Sequence, residues 1–132
     1  MRWPVLVIPA LLAGCAASAD APSGPQNTKQ AAELADALKG LTPGRPQSCI
    51  DQVRIRDVRK FPGTILYIYS RDEIYRNDVG GGCQGLRYGD PIVSRTPSGQ
   101  LCSGDILRTF SPGTPNIPSG SCSLGSFVPY TK

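Results

Sequence analysis

The densest apolar stretch after the N-terminus is residues 64–70, Thr-Ile-Leu-Tyr-Ile-Tyr-Ser. Rich in β-branched and aromatic side chains and apolar on both faces, it predicts a strand covered on both sides. Residues 74–77 follow across Arg71, Asp72 and Glu73 and predict its hairpin partner. A three-residue loop would set Tyr69 opposite Tyr75, and a two-residue loop would set it opposite Ile74. Residues 52–58 partly alternate, with Val53 and Ile55 on one side and Arg54 and Arg56 on the other, until Asp57 breaks the pattern. Weaker strand signals cover residues 91–96, 100–102, 105–110 and 124–130. Turns are marked at Gly80-Gly81-Gly82, Pro97-Ser98-Gly99 and Pro112-Gly113.

Helical periodicity occurs once after the N-terminal segment, over residues 28–39. Thr28 is a suitable N-cap, Ala31, Leu34, Ala35 and Leu38 form a narrow apolar stripe, and Gly40 and Pro43 mark the stop. So thin a stripe suits a helix that docks on a domain rather than one that forms its centre. Residues 41–48 read as a turn-rich connector. These signals together predict a mainly β fold: a small antiparallel sheet, sandwich or partly open barrel with one N-terminal α-helix.

The N-terminus carries a different pattern. Met1 and Arg2 precede an apolar run over residues 5–13, then Gly14 and Cys15. A basic start, a short apolar stretch and small residues before a cut site are the parts of a secretory signal. The run is too short to cross a bilayer, which takes about 20 apolar residues. Leu12-Ala13-Gly14-Cys15 resembles the lipobox of bacterial lipoproteins, which implies a diacylglyceryl group on Cys15 and cleavage before it. In that family an Asp after the cysteine commonly retains a protein in the inner membrane. Ala16 stands here, which implies the periplasmic face of the outer membrane. The expected organisation is a signal peptide over 1–14 and a lipidated end with a flexible tether over 15–27. Helix and connector then occupy 28–48, and a β-rich domain 49–132. The Ala-, Ser-, Pro- and Gly-rich tether would reach about 40 Å at ~3.3 Å per residue.

Composition narrows the chemistry. The 132 residues include five cysteines and no histidine. Besides Cys15 there are Cys49, Cys83, Cys102 and Cys122, an even number in an exported chain, which predicts two disulfides. The Gly- and Pro-rich stretch from residue 49 onward has a thin apolar content, and each crosslink would add about 2–4 kcal/mol. Four cysteines allow three connectivities. Cys49–Cys122 with Cys83–Cys102 would tie the first strand to the last, and sequential pairing would serve nearly as well. Spacing without CxxC, and no histidine, argue against a metal site.

The residues from Cys49 to Tyr130 also resemble a family of small, uncharacterised exported bacterial proteins. The similar pieces are Cys49-Ile50, Thr64-Ile65-Leu66-Tyr67, Tyr75-Arg76-Asn77 and Cys83-Gln84-Gly85-Leu86. They continue with Leu101-Cys102-Ser103-Gly104-Asp105-Ile106 and Cys122-Ser123-Leu124-Gly125-Ser126-Phe127. The resemblance implies a shared disulfide-framed fold and transfers no activity.

An enzyme would need a base, a nucleophile or a metal. Asp51, Asp57, Asp78, Asp90 and Asp105 could pair as hydrolytic carboxylates do, but aspartates more often cap turns, as Asp90 and Asp105 look placed to do. The triple glycine lacks the helix and lysine of a phosphate cradle, and Asn77-Asp78 is weak support for a Ca²⁺ site. The reading is therefore non-enzymatic, with no catalytic residue, no metal and no cofactor: a membrane-anchored binding or envelope-assembly module. An inhibitor of an envelope-targeting hydrolase is the alternative, and a carboxylate hydrolase the third. With 14 Lys and Arg against 10 Asp and Glu, the chain carries a formal charge of +4. Arg54 and Arg56 form a basic stripe suited to an anionic partner, although a solvated outer face is the plainer reading. Tyr67, Tyr69 and Tyr75 form a stacking platform for a glycan or peptide if exposed, and a second small core if the helix covers them; the rarity of exposed patches that large favours burial. The expected partners are the membrane, through the lipid, and an envelope protein or glycan; nucleic acid is not expected.

Overall fold

The computed structural model describes residues 28–132. Cys15, the signal segment and the tether lie outside the described residues. Helix α1 (Thr28–Ala37) leads into ten strands: β1 (Thr42–Pro43), β2 (Cys49–Asp51), β3 (Asp57–Phe61), β4 (Thr64–Ser70), β5 (Glu73–Asp78), β6 (Ile92–Ser94), β7 (Gln100–Cys102), β8 (Ile106–Phe110), β9 (Pro118–Ser123) and β10 (Phe127–Thr131). Two 3₁₀ turns, Gln52–Arg54 and Gln84–Tyr88, interrupt them. All pairings are antiparallel and fall into three sheets, ordered β1-β10-β5-β4-β3, β2-β7 and β6-β8-β9. The fold is mainly β, and the sheets do not close into a barrel.

Strand β4 lies inside the five-stranded sheet, between β5 and β3, and both of its faces have somewhere to go. Ile65, Tyr67 and Tyr69 point into the main core with Ile50, Leu86, Leu107 and Phe127. Leu66 and Ile68 point the other way, to a smaller core with Phe61 and Ile74 that α1 covers through Leu34, Ala37 and Leu38. The helix thus presents Ala37 in place of the expected Ala31 and Ala35, which are exposed. Its last turn closes on Gly40, whose φ of 80° is the left-handed conformation expected of a helix stop. The connector is more than a linker: its β1 pairs with β10.

The hairpin expectation needs one correction. The loop is the two-residue one, with Ser70 opposite Glu73, but Tyr69 bulges between Ile68 and Ser70. Ile68 then faces Ile74, and it is Tyr67 that faces Tyr75.

The strand expected over 52–58 is not one strand. The Asp51 carboxylate accepts from the backbone N–H of Val53 at 3.1 Å and turns the chain into a 3₁₀ helix, and pairing resumes only at Asp57. Strand β9, rich in serine and glycine, carries no strand signal in its side chains. It forms because its backbone is satisfied on both sides. Strand β8 pairs along one edge, and on the other Ser121 N–H donates to the Gly82 carbonyl while Gly80 N–H donates to that of Ser123. A Cβ on Gly120 would strike the Gly82 carbonyl oxygen, so this close approach requires glycine.

The two disulfides are Cys49–Cys102 and Cys83–Cys122. This third connectivity replaces both the crossed pairing of Cys49 with Cys122 and the sequential one. Cys49 and Cys102 are direct partners in the β2–β7 register. Cys83 follows the glycine run that lies beside β9, which brings it to Cys122.

Candidate functional site

Tyr67, Tyr69 and Tyr75 are buried, the favoured one of the two expected states, at 2%, 7% and 8% exposed. The cover is the second layer of β-structure, through residues such as Leu101, Leu107 and Leu124, and not the helix, which lies on the opposite face. Tyr69 acts as a clamp. Its hydroxyl donates to the Asp51 carbonyl at 2.8 Å and accepts from the Asp51 N–H at 2.7 Å, fixing the junction between β2 and the 3₁₀ turn. The Tyr75 hydroxyl donates to Glu73 Oε1 at 3.0 Å, and its ring lies 4.8 Å from that of Tyr69. Burial raises the pKa of both phenols, that of Tyr75 to about 12. Tyr67 is also pushed upward by burial, and its hydroxyl is the one buried side-chain polar atom of the described residues without a hydrogen-bond partner.

The basic stripe also separates. Arg54 lies in the 3₁₀ turn, with its guanidinium 4.6 Å from the centre of the Tyr69 ring and 3.4 Å from Glu73 Oε2. Arg56 is exposed in the link that follows and does not share a strand face with Arg54. Arg54, although exposed, therefore joins Tyr69 and Tyr75 in one network at the edge of the main core.

The carboxylates serve local structure. Asp51 caps the 3₁₀ turn, Asp57 accepts from the Val58 N–H, and Asp105 accepts from the Cys102 N–H. Asp78 accepts from Thr64 and Arg76. Asp90 is buried and accepts from Ser119 at 3.3 Å, and Ser119 also lies 2.9 Å from Thr109. Asn77 is not poised for a cation. Fully buried, it donates to the Gly125 carbonyl and accepts from the Gly125 N–H, holding the bend before β10.

The residues that face outward together are others. On the solvent side of the β6-β8-β9 sheet, alternation places Ile106, Arg108 and Phe110 of β8 outward while Leu107 and Thr109 are fully buried. Val93 of β6 pairs in register with Arg108. Val93 is 46% and Ile106 53% exposed, a high value for side chains of this type. They line a groove of about 350 Å³ with Arg95, Arg108 and Phe110. A second groove of about 250 Å³ adjoins it, sharing Val93 and Phe110 and bounded by Pro91, Pro112 and Pro115. Among the described residues no carboxylate lines either groove. Among the described residues neither Arg95 nor Arg108 has an ion-pair partner. The face offers side-chain pockets and positive charge.

This face was only half visible in the sequence. The alternation over 105–110 announces a strand with two different faces, but not which of them a neighbouring layer covers.

Comparison with known proteins adds no relative: no family model, curated protein or solved structure matches the chain.

Proposed function

We propose that this chain is a non-enzymatic binding or assembly module of the bacterial cell envelope, lipid-anchored through Cys15 at the periplasmic face of the outer membrane. The observation that carries the binding part is the outward face of the three-stranded sheet, where exposed Val93 and Ile106 sit beside Arg95 and Arg108, which have no ion-pair partner among the described residues. Isolated exposed aliphatics are ordinary on a monomer, but a grooved cluster with like-signed charges at its rim marks a contact surface. The anchor rests on the lipobox-like Leu12-Ala13-Gly14-Cys15, and two disulfides suit an oxidising compartment.

The test is site-directed photocrosslinking in intact envelopes, with a benzophenone side chain placed at Ile106 and, as a control, at Lys60. A discrete adduct from Ile106 and none from Lys60 is expected. The same diffuse pattern from both positions would overturn the assignment. For the anchor, labelling by a palmitate analogue should vanish in Cys15→Ser.

A further inference from the structure

The three-stranded sheet has two edges, and they are treated differently. The outer edge of β9 is occupied by the Gly80–Gly82 run, through the Ser121 and Gly80 N–H groups. Among the described residues, strand β6 has a strand neighbour, β8, on one side only. The open edge is thus the strand that carries Val93, and Val93 is shared by both grooves.

Register sets the pattern on this face. Val93 is opposite Arg108, and continuing the same alignment brings Arg95 beside Ile106 and Pro91 beside Phe110. Aliphatic and cationic groups therefore alternate across the two strands. A ligand that fits must bring apolar groups to the grooves and negative charge to the arginines. Two grooves that share a wall suit side chains two positions apart on an extended chain, which project from the same face about 7 Å apart. A bilayer is a poorer fit, because interfacial binding uses protruding apolar tips, whereas these residues line recesses.

We infer that the β6 edge and its adjoining face dock an extended, acidic–apolar segment of a partner protein: its backbone pairs with β6, alternate apolar side chains enter the two grooves, and its carboxylates meet Arg95 and Arg108. This rests on the binding reading above and names the partner's chemistry. Main-chain pairing supplies generic affinity, while the grooves and arginines supply the choice of sequence.

The test pans a random dodecapeptide phage library against the full-length chain in mild detergent, then measures the enriched peptides by fluorescence anisotropy. Enrichment of peptides in which apolar residues and Asp or Glu share one face, at positions two or four apart, is expected. Affinity should fall by about tenfold or more in the Arg95→Glu/Arg108→Glu variant, and fall with added salt. Both arginines are exposed, and an unchanged thermal melt would show that the variant folds. Neutral or basic consensus peptides, or acidic peptides bound equally by the variant, would overturn the inference. So would retention on phosphatidylglycerol vesicles that the same double substitution abolishes, since the face would then be a lipid contact. If Ile106 gives a discrete photoadduct while panning yields no acidic peptide, the binding role stands and this partner chemistry fails. If both fail, the binding role fails with it.

Discussion

The five-stranded and the three-stranded sheets solve the same problem by different means. Strand β4 buries side chains on both faces, against α1 on one side and the main core on the other, and no disulfide lies within its sheet. The three-stranded sheet buries one face only. Its edge strand β9 offers Cys122 as its single strongly buried apolar side chain, and a disulfide to Cys83 joins it to the chain alongside. Where apolar side chains are dense, packing holds the strands. Where they are sparse, a covalent link and backbone pairing do, and the outer face is left free for a partner. The exposed Val93, Arg95, Ile106 and Arg108 lie on the outward face of this second sheet.

The largest expected effect within the first region is on β4. Leu66 is fully buried between β4 and α1. Leu66→Ala should lower stability by about 2–5 kcal/mol, read from urea unfolding, by removing apolar contacts and leaving a cavity. A loss below about 1 kcal/mol would mean that the helix side contributes little, and the contrast between the sheets would be wrong. Next comes the covalent link. Replacing Cys83 and Cys122 together by serine should cost about 2–4 kcal/mol and release β9 first, seen as accelerated amide exchange at residues 118–123. The Cys49–Cys102 pair is less buried, so mild reductant should open it before the Cys83–Cys122 pair, a sequence that mass spectrometry of alkylated intermediates can follow.

A smaller effect of opposite sign is expected at Tyr67. Its hydroxyl is buried without a partner, and such a group carries a desolvation penalty. Tyr67→Phe should therefore stabilise the fold by about 1 kcal/mol. The same burial sets the alkaline limit. Raised folded-state pKa values at Tyr67, Tyr69 and Tyr75 mean that the folded chain holds its phenolic protons more tightly than the unfolded chain does. Stability is then whole below about pH 10, where unfolded tyrosine is neutral, and declines as pH rises from there toward 12 and beyond. Phenolate absorbance from these three should appear together with unfolding. If it rises well before the far-ultraviolet circular dichroism changes, they are not buried as described.

Side-chain pattern made β4 and β5 of the first region legible, and in the second β6 and β8, expected over 91–96 and 105–110, but not β9. The residues of β4 and β7 match the expected 64–70 and 100–102 because their own side chains demand a strand, or because turns bracket them. Strand β9 was invisible, since Pro118, Ser119, Gly120, Ser121 and Ser123 favour no strand on their own and owe their conformation to neighbours distant in sequence. The same dependence hid the disulfide connectivity, which is decided by which backbones run side by side. It also hid what covers the tyrosines: the favoured burial holds, but strands distant in sequence cover them in place of the helix.

The smallest stability effect is the most informative about the outer face. Ile106 is 53% exposed, and its β8 neighbour Leu107 is fully buried. Ile106→Ser should change stability by less than about 0.5 kcal/mol, because little apolar area leaves contact and the polar substitute is solvated. Leu107→Ala, one residue along, should cost about 2–5 kcal/mol. The pair separates two explanations of why Ile106 is apolar. If its side chain supports the fold, both substitutions destabilise and the face is structural. If only Leu107→Ala does, the fold has no use for an isoleucine there, and its place among the arginines is explained by what it touches when a partner binds.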